Sequence, residues 1–272
     1  MNFIEKLLQA AETNNSLLCI GLDPDPELMP AGMSILDFNK AIVEATSDLV
    51  CAYKPNLAFY EAMGRDGFKT LEGTVACIPD TVPVIGDAKR GDIGSTARAY
   101  AKSLFEMFGF DAATVNPLMG FDSLEPFIDY ADRGVFVLCR TSNPGAADLQ
   151  DQLLANGPLF EIIARRAREW NKNGNIGLVV GATYPDEVSR VRQLCPDMPL
   201  PIPGVGKQGG DLANAVRYGV DARGQKAIIS SSRQITYAYR EVEGGKSEKF
   251  AEAAREAASG LRDEINRYLK DV

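Results

Sequence analysis

The sequence contains no histidine. That single absence removes His-based catalytic triads, imidazole metal ligands and imidazole general bases. Proton transfer is left to Lys, Asp, Glu, Tyr or Cys. Cysteine is sparse and scattered, at Cys19, Cys51, Cys77, Cys139 and Cys195, with no C-x-x-C pair. A thiolate metal knuckle is therefore not indicated, and the residues point to no metal site. An odd number of thiols in or near apolar runs suggests reduced, buried groups in a cytoplasmic protein. Positive charge is in deficit: 29 Lys and Arg face 37 Asp and Glu, a net charge of −8. A general nucleic-acid surface needs the opposite balance, so an anionic ligand must be held by a few local donors. No apolar run approaches the roughly 18 residues of a membrane span. The opening MNFIEKLLQAAETN carries acids within an amphipathic helical pattern and does not read as a secretory leader.

What is present is a regular alternation. Eight short apolar runs lie at 17–23, 51–56, 82–87, 112–117, 134–141, 176–182, 200–206 and 226–232. Several are apolar throughout, as strands buried on both faces of a parallel sheet are. Helical patterns separate them. Phe160, Ile163, Ala167 and Trp170 step by three and four, as do Ala254, Ala258, Leu261, Ile265 and Tyr268. No linker, low-complexity tract or internal repeat interrupts the 272 residues. The pattern predicts one α/β domain over 1–272: a single (β/α)8 TIM barrel with an N-terminal helix. An open doubly wound sheet is the alternative. The first βα turn, GLDPDPELMP, has no G-x-G-x-x-G, which counts against a dinucleotide fold.

In such a barrel the chemistry sits where strands end. Asp23 ends the first strand, Lys54 the second, Asp87 the third and Asn116 the fourth; Thr141 and Ser142 end the fifth. Glycine-rich turns follow the seventh, and Arg233 follows the eighth. Within VIGDAKRGDIGST, Asp87 and Lys89 share a face if the segment is extended, and Asp92 is placed to begin the next helix as its N-cap. Taken singly, these residues have ordinary explanations as a cap, a turn and a solvated charge. Their convergence on one rim favours chemistry. Flanking acids favour the charged form of Lys89, which makes it a poor Schiff-base nucleophile. An ammonium there can stabilise adjacent negative charge and donate a proton, which fits a carbanion formed beside Lys89 and then protonated. At the other end, PGVGKQGGD and SSSRQI follow the last two strands. Glycine backbone N–H groups and the Arg233 fork suit a phosphate, with Gln208 on a loop over it.

These segments resemble orotidine 5′-phosphate decarboxylase. DAKRGDIGST matches that family's D-x-K-x-x-D-I-x-x-T signature. GLDPD, YKPNLAFYE, TSNPGA, GVGKQGGD and SSSRQI look like its other motifs, in order, from about residue 17 to 240. The length and the VNPLMGFDS and RTSNPGA segments look like its longer bacterial branch. The resemblance implies cofactor-free decarboxylation of orotidine 5′-phosphate to uridine 5′-phosphate in pyrimidine biosynthesis. It implies that Lys89 donates the proton to C6, and that Asp87 and Lys54 lie beside the substrate carboxylate in a Lys-Asp-Lys-Asp array. Asp92, Ile93 and Thr96 would cross a homodimer interface into the partner's site. Asp23 and Lys54 would hold ribose hydroxyls, Ser142 the pyrimidine, and Gln208, Arg233 and the amide of Ser232 the phosphate. Ser232 stands where other members often carry Gly, and the fourth strand ends in Asn116-Pro117. Two rivals remain: a Mg²⁺-assisted sugar-phosphate decarboxylase or aldolase with a similar triplet, and a non-catalytic nucleotide sensor on the same barrel.

Overall fold

The structure, a computed structural model, describes residues 1–205, 210–241 and 247–272. Eight parallel strands form the (β/α)8 barrel: β1 (Leu18–Leu22), β2 (Ala52–Pro55), β3 (Ile85–Arg90), β4 (Ala112–Val115), β5 (Gly134–Arg140), β6 (Ile176–Val180), β7 (Leu200–Pro203) and β8 (Ala227–Ser231). A small antiparallel hairpin, Leu153–Leu154 with Gly157–Pro158, is added after β5. The third strand lies later than the expected 82–87. Its chain pairs with β4 at Gly86, shifts register, and pairs again at Arg90 with Val115.

The strands make two four-stranded sheets, β2-β1-β8-β7 and β3-β4-β5-β6. Bridges Tyr53–Val84 and Asn56–Asp87 join them on one side. On the other, Leu178 N donates to Pro199 O at 3.0 Å and Ala182 N to Pro203 O at 2.8 Å. Proline explains why this second seam is thin. Pro201 and Pro203 have no N–H, so β7 offers few donors and β6 supplies those that cross.

The barrel floor is closed by the N-terminal helix, Phe3–Thr13, which starts with a capping box between Asn2 and Glu5. Phe3 is buried, with its ring edge-on to Phe136 at 5.5 Å between centroids. It fits because residue 134 is glycine: a Cβ there would lie 2.4 Å from the Phe3 ring. Lys6 holds the helix down through Asp111 at 2.8 Å, and Asp111 also accepts the N–H of Val84. With the floor sealed, the opposite rim is the open one. The expected helix faces are buried as their spacing predicts: Phe160, Ile163 and Ala167 on one helix, and Ala254, Ala258, Leu261 and Ile265 on the last, Phe250–Leu269. No helix among the described residues is long and apolar enough to cross a membrane.

The helix after β3 departs from expectation. It runs Gly94–Lys102 with Ile93 as its N-cap residue, not Asp92. The Asp92 carboxylate instead accepts the N–H of Ile93 at 2.8 Å, a bond one residue long that leaves the helical turn to start later.

Candidate active site

Asp87 is the centre of the rim. It is buried on β3, and its two oxygens are shared among three donors. Lys54 Nζ donates to Oδ2 at 2.8 Å, Lys89 Nζ to Oδ1 at 2.6 Å, and Thr114 Oγ1 to Oδ1 at 2.9 Å. Burial alone would raise this carboxyl, but the Lys54 and Lys89 ammonium groups outweigh it and hold it well below the usual carboxylate range. Lys54 shows the mirror image: burial would lower it, but Asp87 and then Asp23 hold it above the usual lysine range.

Lys89 does not reach Asp87 by simple strand alternation. Its backbone is left-handed, with φ of 49°, at the register shift in β3. A non-glycine residue rarely adopts that conformation, and where it does the surroundings must hold it. Here Thr114 does so, its Oγ1 accepting the N–H of Lys89 at 2.9 Å while donating to Asp87. The bulge turns the amine back over the carboxylate, with the side chain half exposed to the rim. The residue after it, Arg90, pairs with Glu61 and lies over the Tyr100 ring.

Two adjoining hollows, about 230 and 350 Å³, open on either side of this group. They share Lys54, Asp87, Pro203 and Ser230. The first is lined by Gly21, Asp23, Ser232 and Arg233. The second is lined by Lys89, Thr114, Leu138, Thr141, Ser142 and Val179. The first is polar and ends in an exposed arginine, while the second carries apolar walls and a few hydroxyls. One long ligand with an anionic end and a flat, mostly apolar end would fill both.

The expected site residues are distributed as follows. Asp23, Lys54, Asp87, Lys89, Ser142, Ser232 and Arg233 converge on the hollows. Asp23 Oδ1 is buried and without a hydrogen-bond partner among the described residues, an acceptor waiting for a donor. Its loop is pinned by Tyr237, whose hydroxyl accepts from Asp25 N at 2.7 Å and donates to Asp23 O at 3.3 Å. Ser232 Oγ donates to Gly21 O, and glycine is needed there because a Cβ would meet the Ser232 Cβ at 2.8 Å. Asp92, Ile93 and Thr96 line neither hollow, and no ion pair joins Asp92 to Lys89 within the chain. Gln208 lies outside the described residues. Asn116 serves as a turn cap, accepting from Leu118 N.

Thr114 was not foreseen, although its hydroxyl joins Asp87 to the Lys89 backbone. The signal for it was one polar residue inside the apolar run AATVNP. Burial raises the thiols of Cys19, Cys51, Cys139 and Cys195, Cys19 up to about 12 and Cys195 up to about 11, which makes these four poor nucleophiles.

The chain is similar to known proteins in sequence and in fold. The sequence profile of the family described as Orotidine 5′-phosphate decarboxylase / HUMPS matches residues 16–247. The orotidine 5′-phosphate decarboxylase of Dehalococcoides mccartyi (strain ATCC BAA-2266 / KCTC 15142 / 195) is 50% identical over 274 residues, 99% of each chain. That of Herpetosiphon aurantiacus is 55% identical over 266 residues, covering 95% of this chain and 96% of its own. The solved Leishmania donovani OMP decarboxylase superposes with a TM-score of 0.87 at 39% identity, over 99% of this chain and 100% of that one. With the profile and full-length relatives in agreement, the chain belongs to the orotidine 5′-phosphate decarboxylase / HUMPS family.

Proposed function

We propose that this protein converts orotidine 5′-phosphate to uridine 5′-phosphate and carbon dioxide, with Lys89 as the proton donor. The observation that carries the reading is Asp87, clamped between Lys54 and Lys89 where the two hollows meet. The C6–carboxylate bond breaks and its electron pair stays on C6. Carbon dioxide leaves, the Lys89 ammonium gives its proton to C6, and Lys89 is left as a neutral amine. A positive charge fixed beforehand beside C6 is worth more as that electron pair develops than in the ground state. A substrate carboxylate seated against Asp87 would also feel its negative charge.

The remaining roles follow the two hollows. Arg233 and the Ser232 amide take the phosphate, with Gln208 over it. Asp23 and Lys54 take ribose hydroxyls, and the unpaired Asp23 Oδ1 supports this because a hydroxyl supplies the donor it lacks. Ser142 contacts the pyrimidine. Asp92, with Ile93 and Thr96, serves the site of a second copy in a homodimer and completes the Lys-Asp-Lys-Asp alternation there. Exposed Ile93, Leu118 and Met119 on the loops after β3 and β4 support such an interface. All five thiols are unpaired, which supports a cytoplasmic setting.

The metal-assisted rival fits less well. Asp87 is committed to two ammonium groups and a hydroxyl, so a divalent cation would have to displace them. The test is the fall in absorbance as orotidine 5′-phosphate is consumed, with and without EDTA. Equal rates support the proposal; loss of activity in chelator, restored by Mg²⁺, overturns it.

A further inference from the structure

Arg140 ends β5 with its side chain fully buried, yet it lines neither hollow. A guanidinium keeps its charge when buried, so its placement must be met by specific partners. The plane lies on the Tyr184 ring, 3.6 Å from guanidinium carbon to ring centroid. The fork meets Asp151, with Nη2 donating to Oδ2 at 3.1 Å and Nε 3.1 Å from Oδ1. Nη1 donates to the carbonyl of Thr141 at 3.3 Å.

These partners surround one short segment. Gln150, beside Asp151, turns back so that its Oε1 accepts the N–H of Thr141 at 2.8 Å and its Nε2 donates to Thr141 Oγ1 at 3.0 Å. From the β6 side, Thr183 Oγ1 donates to Ser142 O at 3.2 Å. The backbone of Gly181 also packs so close that a Cβ there would lie 2.7 Å from Ser142 Cα. Thr141, Ser142 and Asn143 are the polar wall of the second hollow. Arg140 is bonded to the first of them through the Thr141 carbonyl, yet lines neither hollow itself.

We infer that Arg140 is a positioning residue for base recognition: it ties the chain after β5 to Tyr184 and Asp151 and so sets where Ser142 meets the base. This rests on the assignment of the second hollow to the pyrimidine. Its consequence is selective, because the described residues of the phosphate end lie on β7, β8 and β1, and Arg140 is not among those that line that hollow.

The test compares binding of uridine 5′-monophosphate with that of ribose 5-phosphate, which has no base. In Arg140→Lys the affinity for uridine 5′-monophosphate should fall about tenfold or more, the scale of a misplaced contact, while ribose 5-phosphate binds as before. Lysine should fail to rescue because it has neither the planar fork nor the stacking face. Should Arg140→Lys not fold, Asp151→Asn, at a half-exposed partner, should give a smaller shift in the same direction. Equal weakening of both ligands, or an unchanged preference in folded Arg140→Lys and Asp151→Asn, overturns the inference. A wild-type protein that binds uridine 5′-monophosphate no better than ribose 5-phosphate overturns the functional reading first, before any substitution is made.

Discussion

Replacing Asp87 by Asn tests the electrostatic core most directly. The carboxylate meets two ammonium groups that differ in setting. The Lys54 side chain is 14% exposed and that of Lys89 is 50% exposed. The Lys89 pair is therefore screened and contributes at most about 1 kcal/mol. Lys54 is left as a buried cation that has lost its paired anion, with only the weaker influence of Asp23 remaining, and orphaning one member of a buried pair costs about 3–5 kcal/mol. Asparagine keeps an oxygen for Thr114 and Lys54, so the lower end applies: about 3 kcal/mol, or a Tm lower by about 6 °C for a chain of this size. The pH dependence gives an independent check. The folded Asp87 carboxyl is depressed, so its stabilisation is complete above the unfolded carboxyl value, about 3.9, and is lost as pH falls below it. The gap between wild type and Asp87→Asn should therefore narrow in acid. On the alkaline side the sign reverses. Wild-type Lys54 is raised, and its contribution is lost only as pH climbs past the unfolded lysine value, about 10.4. In Asp87→Asn the largest raising influence on Lys54 is gone while burial still opposes its charge, so the gap between wild type and variant should also narrow as pH climbs past that value. Urea denaturation followed by circular dichroism, at several pH values, reads all three. A loss below about 1 kcal/mol at pH 7 would refute the reasoning, because it would mark the Lys54 pair as no stronger than a surface one.

Further outcomes follow from the same geometry. Lys89→Ala should abolish decarboxylation while changing stability by no more than about 1 kcal/mol, since the side chain is half exposed; substantial turnover in the purified variant would reject Lys89 as the donor. Arg233→Ala should raise KM and also lower kcat, because phosphate binding orders the rim; steady-state kinetics showing a change in KM alone would refute that coupling. Gly134→Ala would put a methyl 2.4 Å from the Phe3 ring and 2.8 Å from the Ala112 Cβ, and should cost about 1–3 kcal/mol by overpacking. A thermal melt unchanged from wild type would show that the floor yields more easily than its packing implies.

Much of the architecture was legible because parallel barrel strands are apolar along their whole length, and the eight runs stood out against helical spacing. The rim residues were legible because so many polar groups end apolar strands at the same rim, although each alone has an ordinary explanation. Two local features were hidden for physical reasons. Period-two alternation placed Lys89 beside Asp87, but by the wrong route. Nothing in the letters AKR announces a left-handed backbone, which is set by the Thr114 hydroxyl on a neighbouring strand. Asp92 is a good cap residue by type, yet Ile93 occupies the cap because the Asp92 carboxylate bonds the very next N–H. Arg140 was given no role by the sequence, where it sits near the end of the fifth apolar run. Its burial depends on Tyr184 and Asp151, which only the folded chain brings to it.

The eight strands form two half-cylinders, and the Lys54–Asp87 contact spans the seam between β2 and β3. A ligand lying in both hollows would grip one half by its phosphate and the other by its base, bracing that seam from above. Backbone amides along β2 and β3 should then exchange with deuterium more slowly when the nucleotide is bound than when phosphate alone is present. Breathing of the cylinder and occupancy of its mouth would become one linked event.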